Sequence, residues 1–416
     1  MAEPSSEAVP TLRFAMIAGT ARWDRTILWI AGIHFVFLAL WLLQSAFGGP
    51  DQSDWYFIRL AGERFLDGDW QDIYGSGDDG FFWRFPPYAL YPAAVLALLP
   101  ATAAYWLKAG IEVAATIGAL LLFERIFPDM RKPAIVAVIV LASAPFATTV
   151  NIGQNSGTLL FLIALGLWLF ERRSHTVGFG AWGLLALKPN VGIGFGLLAI
   201  SRRRGREILA TLAGAAVVLV SAIPLASLWN DFTEATFRAE EIRAQYSTGR
   251  QITVLGFLDG VFPGSSINGV LWGAISVILL GAAYRVWTSE VSMARKAGAV
   301  ILLVVAANPY MSFYDSLLLA VPGIAWWAAA SSYGSLRIRT WIGWGLAIAW
   351  VDQHLTSSYL NILSSNGVDV RSEMPFSFVG PIAALWLVLE AIDAARYSQP
   401  RSSSQRGLTP SPSGRR

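Results

Sequence analysis

Stretches of about 20 apolar residues recur between Ile27 and roughly residue 395, each long enough to cross a hydrocarbon core of about 30 Å as a helix. This constrains the chain more than any other feature, and composition agrees with it. Of the 416 residues 55% are hydrophobic and 14% charged, where an ordinary soluble domain carries about 25% charged residues. The 18 tryptophans suit aromatic belts at membrane interfaces and helix packing. The expected fold class is an all-α polytopic membrane protein. Cysteine is absent, which excludes disulfides, thiolate chemistry and zinc-thiolate sites. His34, His175 and His354 are far apart in sequence, so neither a metal site nor a cofactor is expected. The net charge of +3 is spread over inner loops and the tail, and points to topology and not to nucleic acid.

Positive charge orients the spans. Arg13, Arg22 and Arg25 precede the first one, about 27–47, so residues 1–26 are expected to be cytoplasmic. That span is long for a signal peptide and reads as a retained helix. The first outer loop is then 48–88. A broken piece near Pro100 and a full helix from about 107 return inward; 133–150 goes out, and 156–171 comes back to Arg172 and Arg173. Between that basic turn and Arg202-Arg203-Arg204, the segment holding Lys188-Pro189-Asn190 has basic flanks on both sides, so it must dip in and return. A second such segment, around Asn308-Pro309-Tyr310 and Asp315, lies between Lys296 and Arg337. Further spans are expected at about 207–228, 266–286, 340–354 and 376–394, with outer loops at about 229–265 and 355–375. The total is roughly 9–13 membrane segments with both termini inside, and a disordered cytoplasmic tail over 396–416.

The candidate chemistry starts in the first outer loop. Pro50 to Tyr88 holds eight acids interleaved with aromatics, against Arg59, Arg64 and Arg84. Trp55, Phe57, Leu60, Ala61, Phe65 and Leu66 give one apolar face of a short helix lying in the interface. Asp54, at its start, is either a helix cap or a general base that takes a proton from a sugar hydroxyl. Asp51 is its neighbour and rival. Lys188 in an apolar run costs about 2.5–3.5 kcal/mol on insertion scales, and it either snorkels to an interface or takes an anionic partner, a phosphate or Asp315. Arg84 can fork onto a phosphate or pyrophosphate. Gln154 and Asn155, after Gly153, offer two amides for sugar hydroxyls, and Asn308, Tyr310 and Asp315 form a second polar group.

These pieces carry a resemblance. The order Asp54 to Gly68 (DWYFIRLAGERFLDG), Tyr74, Arg84 to Tyr88 (RFPPY), Gly153-Gln154-Asn155, Leu187-Lys188-Pro189 and Asn308 to Asp315 (NPYMSFYD) resembles glycosyltransferase family 87. The resemblance implies a GT-C-type transmembrane helix bundle over 27–395, related to polyprenol-phosphate-mannose-dependent mannosyltransferases. It also implies a lipid-linked sugar donor, a glycan or glycolipid acceptor reached from the outer face, and the first-loop aspartate as base. The expected protein is a hexosyltransferase of a bacterial-type plasma membrane, with its active site facing outside or into the periplasm. Asp51, Arg84, Gln154, Asn155, Lys188, Asn308, Tyr310 and Asp315 are its expected substrate-binding residues, and mannose is the sugar the family suggests. A transporter or flippase of lipid-linked sugars would use broken helices and a buried lysine as well. A polysaccharide polymerase or ligase would rely more on outer-loop arginines, and a membrane scaffold would need neither Lys188 nor Asp315.

Overall fold

The computed structural model describes residues 54–74, 85–130, 132–172, 174–243, 251–309, 311–330 and 377–397, with eight helical residues between 29 and 43. Among them are fifteen α-helices and no strand; the single β-bridge joins Gln251 to Ser312. Asp51, Arg84 and Tyr310, the span at 340–354, the loop at 355–375 and the tail beyond Tyr397 lie outside the described residues.

Helix α1 (Asp54–Asp67) lies against α2 (Leu90–Ala97). Their contact is backbone to backbone, since a Cβ on Gly62 would stand 2.2 Å from the Ala93 carbonyl oxygen. This close approach fixes the face that α1 turns to the bundle. Trp55, Ile58 and Ala61 are buried, while Leu66 is exposed and Phe57, Leu60 and Phe65 are half-buried. The sequence pattern weighted every apolar side chain equally; the glycine decides which of them turn inward.

Pro100 then opens α3 (Ala101–Ile126), whose 26 residues span about 39 Å. It starts at 101, a turn and a half before the expected 107. Helices α4 (Pro133–Leu141) and α5 (Ala144–Ile152) are bent by 49° at a break capped by Ser143, whose Oγ accepts from Phe146 N at 3.3 Å. Helix α6 (Ser156–Glu171) occupies the expected 156–171. By length and composition, among the described residues α3 and α12 (Ile267–Thr288) each suffice to cross a membrane, and the bent pair is either a broken span or a re-entrant loop. The other apolar helices are shorter, so the bundle is built largely from broken pieces.

Both segments expected to dip and return are broken where their prolines and polar residues fall. In the first, α7 (His175–Gly183) runs through a 3-10 turn (Leu184–Leu187) to α8 (Pro189–Ser201), with Lys188 extended between them at φ −131° and ψ 90°. Proline at the first helical position loses no hydrogen bond, which allows α8 to restart there. Helix α9 (Gly205–Val220) packs on α7 through glycine, a Cβ on Gly214 standing 2.1 Å from the Gly180 carbonyl oxygen. It ends before the expected 228, in a turn (Ile223–Leu225) containing Pro224. The expected second outer loop carries two helices, α10 (Leu228–Arg243) and α11 (Val254–Val261).

In the second broken segment, α13 (Met293–Ala307) stops at Asn308, and a 3-10 stretch (Phe313–Leu319) leads into α14 (Ala320–Ala330). Helix α15 (Val379–Tyr397) closes the bundle. At its centre Trp182 is fully buried against Phe170, Phe179 and Phe195 and donates from Nε1 to the Ile163 carbonyl at 3.1 Å.

Candidate functional site

The breaks in the two dipping segments meet. Lys188 Nζ donates to Asp315 Oδ1, which also accepts from Ser156 Oγ at 2.9 Å. The lysine side chain is 16% exposed and the aspartate 2%, so the acid is inside the bundle and the ammonium at an opening. Lys188 Nζ also lies 5.2 Å from the centre of the Tyr314 ring, within cation–π range. Tyr88 anchors the same break from the end of the expected first outer loop, its hydroxyl donating to the Ala186 carbonyl at 2.6 Å. Its ring packs edge-on against Trp229.

Ser156 joins this pair to the amide turn. Gly153 ends α5 at φ +79°, a left-handed conformation that suits glycine. A Cβ there would also lie 3.3 Å from Trp55 Cβ, so the start of α1 rests on the turn. Trp55 meets the Tyr105 ring at 6.0 Å, and the Tyr105 hydroxyl reaches Asn151 Oδ1 at 3.3 Å. Asn155 occupies the N-cap position of α6 but makes no side-chain cap bond, and its buried Oδ1 has no partner among the described residues.

The cap comes instead from Glu112, on α3. Its carboxylate accepts from Thr158 N at 3.0 Å and Thr158 Oγ1 at 2.8 Å, and from Lys108 Nζ at 2.6 Å. Lys108 also donates to the Gln154 carbonyl at 2.9 Å. A Cβ on Gly157 would come within 2.9 Å of Glu112 Oε2, so glycine there lets the carboxylate approach. The anion sits at the positive end of α6, where the dipole favours it. Glu112 is 1% exposed, and the sequence reading missed it together with Lys108. Their signal was an i,i+4 lysine–glutamate pair inside an apolar run, each of which is expensive there alone. Lys108→Met should cost about 1–3 kcal/mol, the loss of one partner from a buried carboxylate that keeps both Thr158 donors. Denaturant unfolding in detergent measures it.

The structure therefore brings together Gln154, Asn155, Lys188 and Asp315 with the backbone at the start of α1, whose first residue is Asp54. Asn308 ends α13 half-buried, seven residues before Asp315. Asp315 pairs with Lys188, which gives a structural account of both.

Architecture and site define the class: an all-α polytopic membrane protein with an ion pair and an amide turn at the junction of its broken helices. A family model for glycosyltransferase family 87 matches residues 83–309, more than half of the chain, and the chain belongs to that family. It is a membrane glycosyltransferase. The matched stretch contains Arg84, Gln154, Asn155, Lys188 and Asn308, while Asp54 and Asp315 lie on either side of it. No curated protein and no solved structure matches the chain.

Proposed function

We propose that the protein transfers a hexose, mannose by preference, from a polyprenyl-phosphate donor to a glycan or glycolipid hydroxyl at the outer face of a bacterial-type plasma membrane. The observation that carries this reading is the half-open Lys188, fixed by Asp315 beside the Gly153–Asn155 turn. An ammonium has three donors. With one directed at Asp315, the lysine is held oriented while it meets a phosphate. Asp54 takes the proton of the acceptor hydroxyl as its oxygen bonds to the sugar anomeric carbon. The bond from that carbon to the phosphate oxygen breaks, and its electron pair leaves with the polyprenyl phosphate. Lys188 and Arg84 stabilise the charge that grows on this leaving group. A single direct displacement inverts the anomeric carbon. Gln154 and Asn155 hold sugar hydroxyls, and Asp51, Asn308 and Tyr310 are the further substrate-binding residues of this proposal.

The test incubates the purified full-length protein, in nanodiscs, with a panel of polyprenyl-phosphate hexoses and separately with nucleotide sugars. Release or transfer of mannose from the lipid-linked donor is the expected result. Turnover of nucleotide sugars alone would overturn the donor assignment, and movement of an intact lipid-linked sugar across the bilayer without bond cleavage would make the protein a flippase.

A further inference from the structure

Arg295 and Lys296 stand in the first turn of α13, where the helix dipole is positive and cations are disfavoured. Arg295 is compensated by two acids of α15: it pairs with Glu390, and its Nη2 lies 2.8 Å from Asp393 Oδ2. Lys296 has no such compensation. It is 8% exposed, and among the described residues no carboxylate lies within ion-pair distance of its ammonium. Burial and the charge of Arg202 act against its own charge, as does that of Arg204, with Glu290 and Glu207 in partial opposition. Glu207 is already engaged, 2.6 Å from Arg202 Nε and 3.4 Å from Arg204 Nη1.

Three effects thus oppose one ammonium: desolvation, two neighbouring guanidinium groups and the helix dipole. A lysine kept only for packing would be better replaced there by an apolar residue of similar length. An anion with several acceptor oxygens reverses all three effects at once. We propose that Lys296, Arg202 and Arg204 form a binding site for a phosphate-type anion, at the end of the bundle opposite Lys188. Helix α8 sets the separation. Lys188 precedes its first residue and Arg202 follows its last, about 20 Å away. Gly194 lets α8 pack closely on α13, a Cβ there meeting Val300 and Val304 at 2.8 Å, so Arg202 and Lys296 are carried by two helices in direct contact. By the positive-inside rule this end faces the cytoplasm, and the anion is then either an anionic phospholipid headgroup of the inner leaflet or free phosphate.

The experiment takes the purified full-length protein in neutral detergent and adds phosphatidylglycerol, phosphatidylcholine or inorganic phosphate in separate arms. Thermal unfolding and retention in native mass spectrometry are read. Phosphatidylglycerol is expected to raise the unfolding midpoint, and phosphatidylcholine is not. Lys296→Met should weaken phosphatidylglycerol binding at least about fivefold, the order expected for one basic residue at an anionic headgroup. Without added anion it should unfold no more easily than the parent. If inorganic phosphate alone reproduces the midpoint shift, the site stands and its ligand is free phosphate. Should Lys296→Met fail to insert, Arg204→Gln reads the same contribution from a side chain that is 63% exposed. Equal responses to the charged and neutral lipids, unchanged in the variant, overturn the proposal. None of the arms depends on sugar transfer, so the result is independent of the proposed reaction.

Discussion

Asp54→Asn should lower turnover by about 10²–10⁴-fold, equivalent to roughly 3–5 kcal/mol of barrier, while leaving donor binding and the unfolding midpoint almost unchanged. The prediction rests on the proposed base role and on the position of Asp54 as the first residue of α1. A carboxylate there also suits the helix dipole, so a structural role has to be separated from a chemical one. Asparagine does this, because it caps a helix about as well as aspartate but cannot accept the acceptor's proton. A capping role predicts near-normal turnover in Asn and a stability loss of about 0.5–2 kcal/mol in Ala. A base role predicts lost turnover in both. Asp51→Asn is the neighbouring control and should be the milder change. Wild-type turnover in Asp54→Asn with loss in Asp51→Asn would move the base to Asp51, and no effect in either would remove this loop from the chemistry.

Much of the fold was legible because lipid leaves few choices. Apolar runs marked the helices, and α6 falls where the run 156–171 put it. The breaks at Lys188-Pro189 and after Asn308 were legible from polar residues and prolines that a membrane helix does not carry without reason. Even the partnership of Lys188 with Asp315 could be named, as two opposite charges stranded in apolar surroundings. The contacts that set distances were not legible. Gly62 decides which face of α1 turns inward, and no hydrophobic count shows that its neighbour across the gap is the Ala93 carbonyl. Lys108 and Glu112 were absorbed into the average of a 26-residue apolar helix. Their significance depends on Thr158 and Gln154, some 46 residues further along the chain, which only the packing of α3 on α6 brings near. Asn155 shows the reverse case. Its place at the start of α6 suggests a cap, yet Glu112 supplies one and leaves the Asn155 side-chain Oδ1 without a partner among the described residues.

The Lys188–Asp315 pair yields the second large effect, and it separates two roles for one lysine. Lys188→Met leaves a carboxylate that is 2% exposed with Ser156 as its remaining hydrogen-bond donor. Removing one member of a buried ion pair typically costs about 3–5 kcal/mol, because the other charge stays desolvated. Unfolding in detergent should show a loss of that size. Adding Asp315→Asn removes the stranded charge, so the double variant should regain most of the stability. Its activity is expected to behave differently. If Lys188 holds the donor phosphate, the double variant folds and inserts but still binds donor weakly and turns over slowly. Lys188→Arg should recover only part of the activity, since a planar fork does not reproduce a compact ammonium between Asp315 and a phosphate. Stability and turnover returning together in the double variant would make the pair purely structural, and the phosphate would then have to be held by Arg84 alone. Stability returning without turnover leaves the lysine with a task that Asp315 does not account for, and the donor phosphate is the anion the proposed reaction supplies.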